Sequence, residues 1–397
     1  MHELLYPIVI PAVAGIIPIF IPRKGKIVAG VVALAAAAYV LLRAIALFGA
    51  GDVFYSITLF NLAGAMPFEF ALRLYNFSAF VLLFIAIFAV ISIVYSFGYL
   101  WGKDKSSVYY SFILWSLGAA AGVVLSDNLL VLLMFWELLT VFLFFLTNMG
   151  DKDHEKAAAK AFTILGLSDA AMLLGVILIW VQAGTLTISE LSIPTTTPLG
   201  VIAFILLFVG AITKAGAMPF HSWIPAMAIS TPASVMAYLP ASVDKLLGIY
   251  LLARISMDIF SIQPGSALSM LMMIVGAVTI MFAVLMALAQ HNLKKLLSFH
   301  AVSQVGYMVL GVGSGIPIAI VGGLFHMLNH AIYKSSLFME AGAIEKRAGT
   351  TELEDLGGLA RLMPVTFVSM TIAALSISGV PPLNGFASKW LIYQGML

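Results

Sequence analysis

LLVLLMFWELLTVFLFFL, residues 129–146, contains a single charge, Glu137. Eighteen residues this apolar are long enough to cross the hydrocarbon core of a bilayer as one helix, which rises about 1.5 Å per residue. The segments on either side read the same way. Apolar runs of spanning length lie at roughly 4–22, 27–49, 78–100, 108–125, 129–149 and 158–182, and again at 199–217, 230–254, 267–290, 298–315, 317–342 and 362–396. That is an all-α polytopic membrane protein with about twelve spans. Composition agrees, since 62% of the 397 residues are hydrophobic and only 10% charged. A soluble fold would need far more polar cover. No polar stretch is long enough for a soluble domain, and a dispersed net charge of +2 excludes a nucleic-acid surface. There is no cysteine, so the chain has no disulfide and cannot hold an iron–sulfur cluster by itself.

Orientation follows from Lys and Arg in alternate loops. Arg23, Lys24, Lys26, Lys103, Lys105, Lys152, Lys156, Lys160, Lys294, Lys295, Lys346, Arg347 and Arg361 fall on one side, and only Arg43, Arg73 and Arg254 on the other. The basic side is expected to be cytoplasmic, with the N-terminus outside. Glu3 precedes the first run and no small-residue cleavage site follows it, so that run reads as a retained span and not a signal peptide. PFEFALRLYNF (67–77) alternates as a short hairpin or an interfacial element would.

Two spans are interrupted. Span seven reads LLFVGAITKAGAMPFHSWIP (206–225) and span twelve reads AALSISGVPPLNGFASKWL (373–391). Proline removes a backbone donor and clashes with the preceding turn, and lipid tolerates the freed groups only where protein or water satisfies them. Matching breaks five spans apart suggest an internal repeat, the arrangement in which transporters place ion sites between two halves. The expected organisation is an N-terminal three-helix segment (1–107), a first five-helix repeat (108–256) and an incomplete second repeat (257–397).

Lys214, Lys245, Lys334 and Lys389 lie inside apolar segments. A lysine at a helix centre costs about 2.5–3.5 kcal/mol, so four cost on the order of 10–14. Such residues suit a group that takes and releases protons. Glu137 is expected to pair with a cation from another span, Lys214 being the candidate; a static ion pair that only fixes helix packing is the alternative. His326, His330 and Lys334 follow i, i+4, i+8 in GGLFHMLNHAIYKSSLF (322–338) and share an 80° arc of one helix face, as a proton relay would. Packing and metal binding are the competing readings, although Met327 stands where the zinc-protease pattern requires Glu. Asp169, in ILGLSDAAMLLG (164–175), and Asp244, beside Lys245, are further candidates, as is His221 after the span-seven break. His221 and His300 also read as structural or interfacial, and His154 and His291 as solvated loop residues.

TKAGAMPFHSWIPAMAISTPASVMAYLPASVDKLLGIYLLAR (213–254) resembles the signature region of the antiporter-like subunits. These occur in respiratory complex I, Mrp-type sodium/proton antiporters and archaeal membrane-bound hydrogenase-related complexes. FWELLT (135–140), NLKKLLSFHAVSQVGYM (292–308), FHMLNHAIYKSSLF (325–338) and GVPPLNGFASKW (379–390) resemble the same family in order. The resemblance implies two inverted five-helix repeats joined by a hydrated row of charges at mid-membrane. Glu137 and Lys214 would be its glutamate–lysine pair and Lys245 its connecting lysine. His326, His330 and Lys334 would form the second-half relay, with Lys389 at the exit. Leu239 stands where many complex I relatives have histidine, and LPASVDK (239–245) looks closer to the hydrogenase and Mrp branch. The family commonly has more spans, so either a thirteenth helix is expected from a neighbouring subunit or the gene is split or shortened.

The resulting expectation is a proton-translocating, or sodium-translocating, membrane subunit of a larger redox-driven complex. It would hold no cofactor itself; iron–sulfur clusters or other redox centres would lie in partner subunits. Lysines cannot ligate a cation while protonated, which favours protons along this row, whereas carboxylates and hydroxyls would favour sodium. The alternatives are a degenerate structural subunit bridging its neighbours, a stand-alone cation antiporter and a membrane enzyme. The last lacks a visible nucleophile or metal set.

Overall fold

The computed structural model describes residues 2–22, 25–62, 66–100, 106–150 and 153–397. Of the loop cations used for orientation, Arg23, Lys24, Lys103, Lys105 and Lys152 lie outside these residues. Among the described residues, ten helices are long and apolar enough to cross a membrane. They are α1 (His2–Phe20), α2 (Lys26–Leu47), α3 (Asn76–Tyr99), α4 (Ser107–Leu125), α5 (Leu129–Thr147), α6 (His154–Ala183), α7 (Pro198–Met227), α8 (Ala233–Ile259), α9 (Ala267–Leu288) and α10 (Leu293–Gly313). Two of the expected spans fall outside that set, each for a physical reason. The first is α11 (Pro317–Ala348), which has the length, at 32 residues, but carries His326, His330, Lys334, Glu340 and Glu345. The second, 362–396, is two half-length helices, α12 (Pro364–Ser378) and α13 (Asn384–Met396), separated by the Gly-Pro break.

The chain forms two compact units. The first comprises residues 1–149, 165–210 and 257–261. Its central helix is α4, which packs against α1, α2, α3 and α5. An antiparallel hairpin, β1 (Val53–Leu62) and β2 (Met66–Leu74), precedes α3 and contains a bulge between Thr58 and Phe60. The alternating segment 67–74 is therefore its second strand. Arg73 and Asp52 close the open end at 2.8 Å, and Asp127 N–H donates to the Ala71 carbonyl at 2.9 Å, anchoring the hairpin to the start of α5.

The second unit comprises residues 150–164, 211–256 and 262–397. Here α11 is central, touching α8, α10, α12 and α13. Helices α9 and α10 cross closely at Gly276 and Gly306, where a Cβ on either would sit 2.6–2.7 Å from the other's carbonyl oxygen. Helix α8 is buried from Ala233 to Ser256 and contains two π-helical stretches, Leu239–Val243 and Arg254–Ile259. Pro240 lies in the first, where the missing N–H breaks the α-helical ladder.

One local pattern occurs twice. Asn128 caps α5 by accepting from Leu130 and Val131 N–H, Leu129 N–H donates to the Leu186 carbonyl at 3.0 Å, and a short turn follows at Ile188–Glu190. Asn292 caps α10 by accepting from Lys294 and Lys295 N–H, Leu293 N–H donates to the Thr351 carbonyl at 2.8 Å, and a short turn follows at Leu353–Asp355. In each case the loop after the next long helix returns to the asparagine cap. Beside the second station His291 pairs with Glu354, and this hydrogen bond holds the Glu354 carboxyl below the usual glutamate range.

Candidate functional site

Four buried cations meet the ends and faces of helices in the second unit. The first segment of α7 stops at Ala215, where the helix breaks, and Gly216 takes φ +83°, a left-handed conformation that disfavours any side chain with a Cβ. The freed Ala215 carbonyl accepts a hydrogen bond from Nζ of Lys245, which comes from α8. A Cβ at position 216 would lie only 3.0 Å from that Nζ. The ammonium also sits 5.7 Å from the Trp223 ring centroid, and Trp223 is fixed by donating Nε1–H to the Thr213 carbonyl at 3.0 Å. Lys214 is buried in the last turn before the break.

The second break repeats this chemistry. α12 ends at Ser378, Gly379 takes φ +82°, and Lys389 Nζ donates to the Ile377 carbonyl at 2.6 Å while lying 5.0 Å from the Tyr307 ring centroid. A carbonyl released at a helix end and an aromatic face together replace much of the water an ammonium gives up.

Between the breaks runs the face of α11. Lys334 is fully buried and donates to the Leu297 carbonyl at 2.9 Å. One ring nitrogen of His326 meets Ser388 Oγ at 2.9 Å, and the other lies 3.2 Å from Gln304 Oε1 and 3.4 Å from the Tyr333 hydroxyl. His330 is equally buried, packs edge-on against Tyr333, and neither of its ring nitrogens has a hydrogen-bond partner. Lys389, Tyr307, His326, Tyr333 and His330 thus stand in successive contact. Lys245 is near enough to interact electrostatically with both His330 and Lys334.

The other sequence candidates are placed as follows. Asp244 is buried at the start of the α-helical segment after the first π stretch. His221 is half-buried beside Phe299, in the short turn following the α7 break. In the first unit Glu137 is half-buried on α5. Asp169 is fully buried on α6 and accepts from Trp136 Nε1–H at 2.9 Å and the Thr140 hydroxyl at 3.0 Å. Gln304, Tyr307, Tyr333 and Ser388 join the network without having been singled out from the sequence. Among the described residues no group of three or more His, Cys, Asp or Glu could hold a metal ion.

A family model described as NADH:quinone oxidoreductase/Mrp antiporter, TM, matches residues 126–397. The A1 component of a Na(+)/H(+) antiporter from Staphylococcus epidermidis is 36% identical over 324 residues, covering 77% of this chain and 40% of its own. Its counterpart from the Na(+)/H(+) antiporter of Alkalihalophilus pseudofirmus is 38% identical over 327 residues with the same coverage. The chain therefore spans about two fifths of the length of these curated relatives. Among solved structures, a chain of the archaeal membrane-bound sulfane sulfur reductase superposes with a TM-score of 0.89 at 25% identity, covering 100% of this chain and 82% of that one. A chain of the Mrp complex from Dietzia sp. gives 0.88 at 28%, covering 98% and 43%. Respiratory complex I from Thermus thermophilus, at 22% identity and a TM-score of 0.85 with coverage of 99% and 82%, shares the fold. The polytopic helical fold, the two broken helices and the matched region together make this chain a member of the NADH:quinone oxidoreductase/Mrp antiporter membrane-subunit family.

Proposed function

We propose that the chain is an ion-translocating, antiporter-like membrane subunit that moves protons along its buried row of lysines and histidines. The observation that carries this reading is the continuous set Lys245, His330, Lys334, His326 and Lys389, buried in one unit and held on backbone carbonyls, hydroxyls and ring faces. A scaffold gains nothing from burying such groups, each of which is costly in lipid. Glu137 and Lys214 serve as the carboxylate and lysine of the first repeat, Lys245 as the connector, the two histidines and Lys334 as the relay and Lys389 as the terminal station. Asp169, Asp244 and His221 are subsidiary candidates. Coupling is electrostatic, because a change at one charged site shifts the proton affinity of the next.

The reading places the chain in a cell membrane with its N-terminus outside, supported by the loop-charge bias. It also includes the division 1–107, 108–256 and 257–397. The capping station at Asn128 recurs at Asn292 five helices later, and an odd number of crossings favours inverted repeats. Partners are further membrane subunits of a redox-driven or Mrp-type complex, and any iron–sulfur or other redox centre belongs to them, because this chain has no cysteine.

The test is ion movement by the intact complex in sealed vesicles, comparing the native protein with Lys214→Ala and Lys389→Ala. Collapse of the coupled gradient in both variants is the expected result. Gradients at native level in both would reduce the chain to a scaffold.

A further inference from the structure

A second polar stripe runs along α11, adjoining the relay face and sharing Tyr333 with it. Asn329, Tyr333, Ser336 and Glu340 follow i, i+4, i+7, i+11 and fall within a 60° arc. This face meets α12 at Ser369 and α13 at Asn384. Asn329 Nδ2–H donates to the Asn384 carbonyl at 2.8 Å, and Asn384 returns a bond to Asn329 Oδ1 at 3.1 Å. Further along, Glu340 Oε1 accepts from Ser336 Oγ at 2.7 Å and from Ser369 Oγ, and the two serine oxygens are 3.4 Å apart. Glu340 is only 7% exposed, yet its second oxygen, Oε2, is buried with no hydrogen-bond partner. A half-satisfied buried carboxylate requires something more at that oxygen. A cavity of about 610 Å³ beside α11 and α12 reaches both serines; its lining is mainly apolar, including Ile332, Val365, Val368 and Ile372.

We propose that Glu340, Ser336 and Ser369 form a binding site for a monovalent cation, sodium, which competes with a proton for the Glu340 carboxylate. Hard cations take oxygen ligands, and these three side chains bring a carboxylate and two hydroxyls within mutual contact distance. In the proton-bound state the hydroxyls keep their bonds to Oε1 and Oε2 carries the proton. In the sodium-bound state each serine turns its hydrogen toward a carbonyl one turn back in its own helix, a common partner for helical serine, and offers a lone pair to the ion. One carboxylate carries one charge, so it accepts a proton or a sodium ion but not both, which is the requirement for exchanging them. The lysine row cannot serve this purpose, since an ammonium has no acceptor. The inference rests on the reading of the chain as an ion-translocating subunit and adds the second ion to it.

The test uses the full chain purified in detergent and infrared difference spectra between sodium chloride and choline chloride at fixed pH. The native protein is expected to show a sodium-dependent carboxyl band that Glu340→Gln abolishes. Ser369→Ala removes one neutral ligand and is expected to raise the sodium midpoint about tenfold. Glu340→Asp, which keeps the charge, is expected to retain the band at higher sodium and guards against a variant that fails to fold. A native spectrum indifferent to sodium, or a band that survives in Glu340→Gln, overturns the site. An indifferent spectrum does so even if Lys389→Ala stops vesicle proton movement, and a band lost in Glu340→Gln stands even if Lys389→Ala pumps normally, so the two readings fail separately.

Discussion

His326 is held from three helices at once: its own, by Tyr333; α10, by Gln304; and α13, by Ser388. A neutral imidazole needs one donor and one acceptor, and Ser388 and Gln304 can supply both. Replacing Gln304 with leucine leaves a buried ring nitrogen dependent on the longer Tyr333 contact. Gln304→Leu is expected to destabilise the chain by about 1–3 kcal/mol, the cost of an unsatisfied buried polar group, measurable as a lower thermal midpoint in detergent. It is also expected to slow proton movement in vesicles; an unchanged rate would remove Gln304 from the path. The lysines and relay histidines were legible because a charge in an apolar run contradicts its surroundings. Gln304, Tyr333 and Ser388 are ordinary residues for a helix, and only folding brings them round one imidazole from separate places in the chain. Glu340 escapes a sequence reading for a related reason. It sits near the end of the apolar run 317–342, close to Glu345, Lys346 and Arg347, where a carboxylate reads as solvated, whereas packing of α12 buries it.

At the scale of elements the two helix breaks invite direct comparison. Both use a glycine in the left-handed region, Gly216 and Gly379, so alanine at either costs about 1–2 kcal/mol for backbone conformation alone. Their surroundings differ. A Cβ at 216 would lie 2.1 Å from Ile224 Cδ1 and 3.0 Å from Lys245 Nζ, whereas at 379 its nearest neighbour is Lys389 Cδ at 3.3 Å. Gly216→Ala is therefore expected to be the more destabilising of the two in thermal unfolding. It is also expected to displace Lys245 from the Ala215 carbonyl and to reduce proton movement more than Gly379→Ala does. Equal losses would show that crowding at the first break is relieved by Ile224 without disturbing the lysine. These breaks were legible because glycine and proline interrupt an apolar run. The π-helical stretches of α8 were not, since Pro240 announces a broken ladder but not which bond spacing replaces it. Nor was β1: Val53–Leu62 is apolar enough to merge with its surroundings, and only its partner alternates clearly.

For the whole molecule, the arrangement of the row decides between one path and several. Lys245, Lys334, His330, His326 and Lys389 are distributed over α8, α11 and α13, and each electrostatically senses the next. A proton moving along such a row visits the stations in series. Removing any one station blocks transfer, and removing a second adds nothing, the non-additivity expected of residues that act as a unit. Parallel paths behave differently: each single substitution leaves the remaining path open, so about half the flux survives, and only the double substitution abolishes it. Methionine keeps the length of a lysine stem without its charge, which makes Lys334→Met, Lys389→Met and the double variant a suitable set. The expected outcome in sealed vesicles is that each single variant loses nearly all proton movement and the double variant is no worse than either. Substantial flux in both singles that disappears only in the double would overturn the single row. It would also assign the stations around Lys334 and Lys389 to separate routes through the same unit.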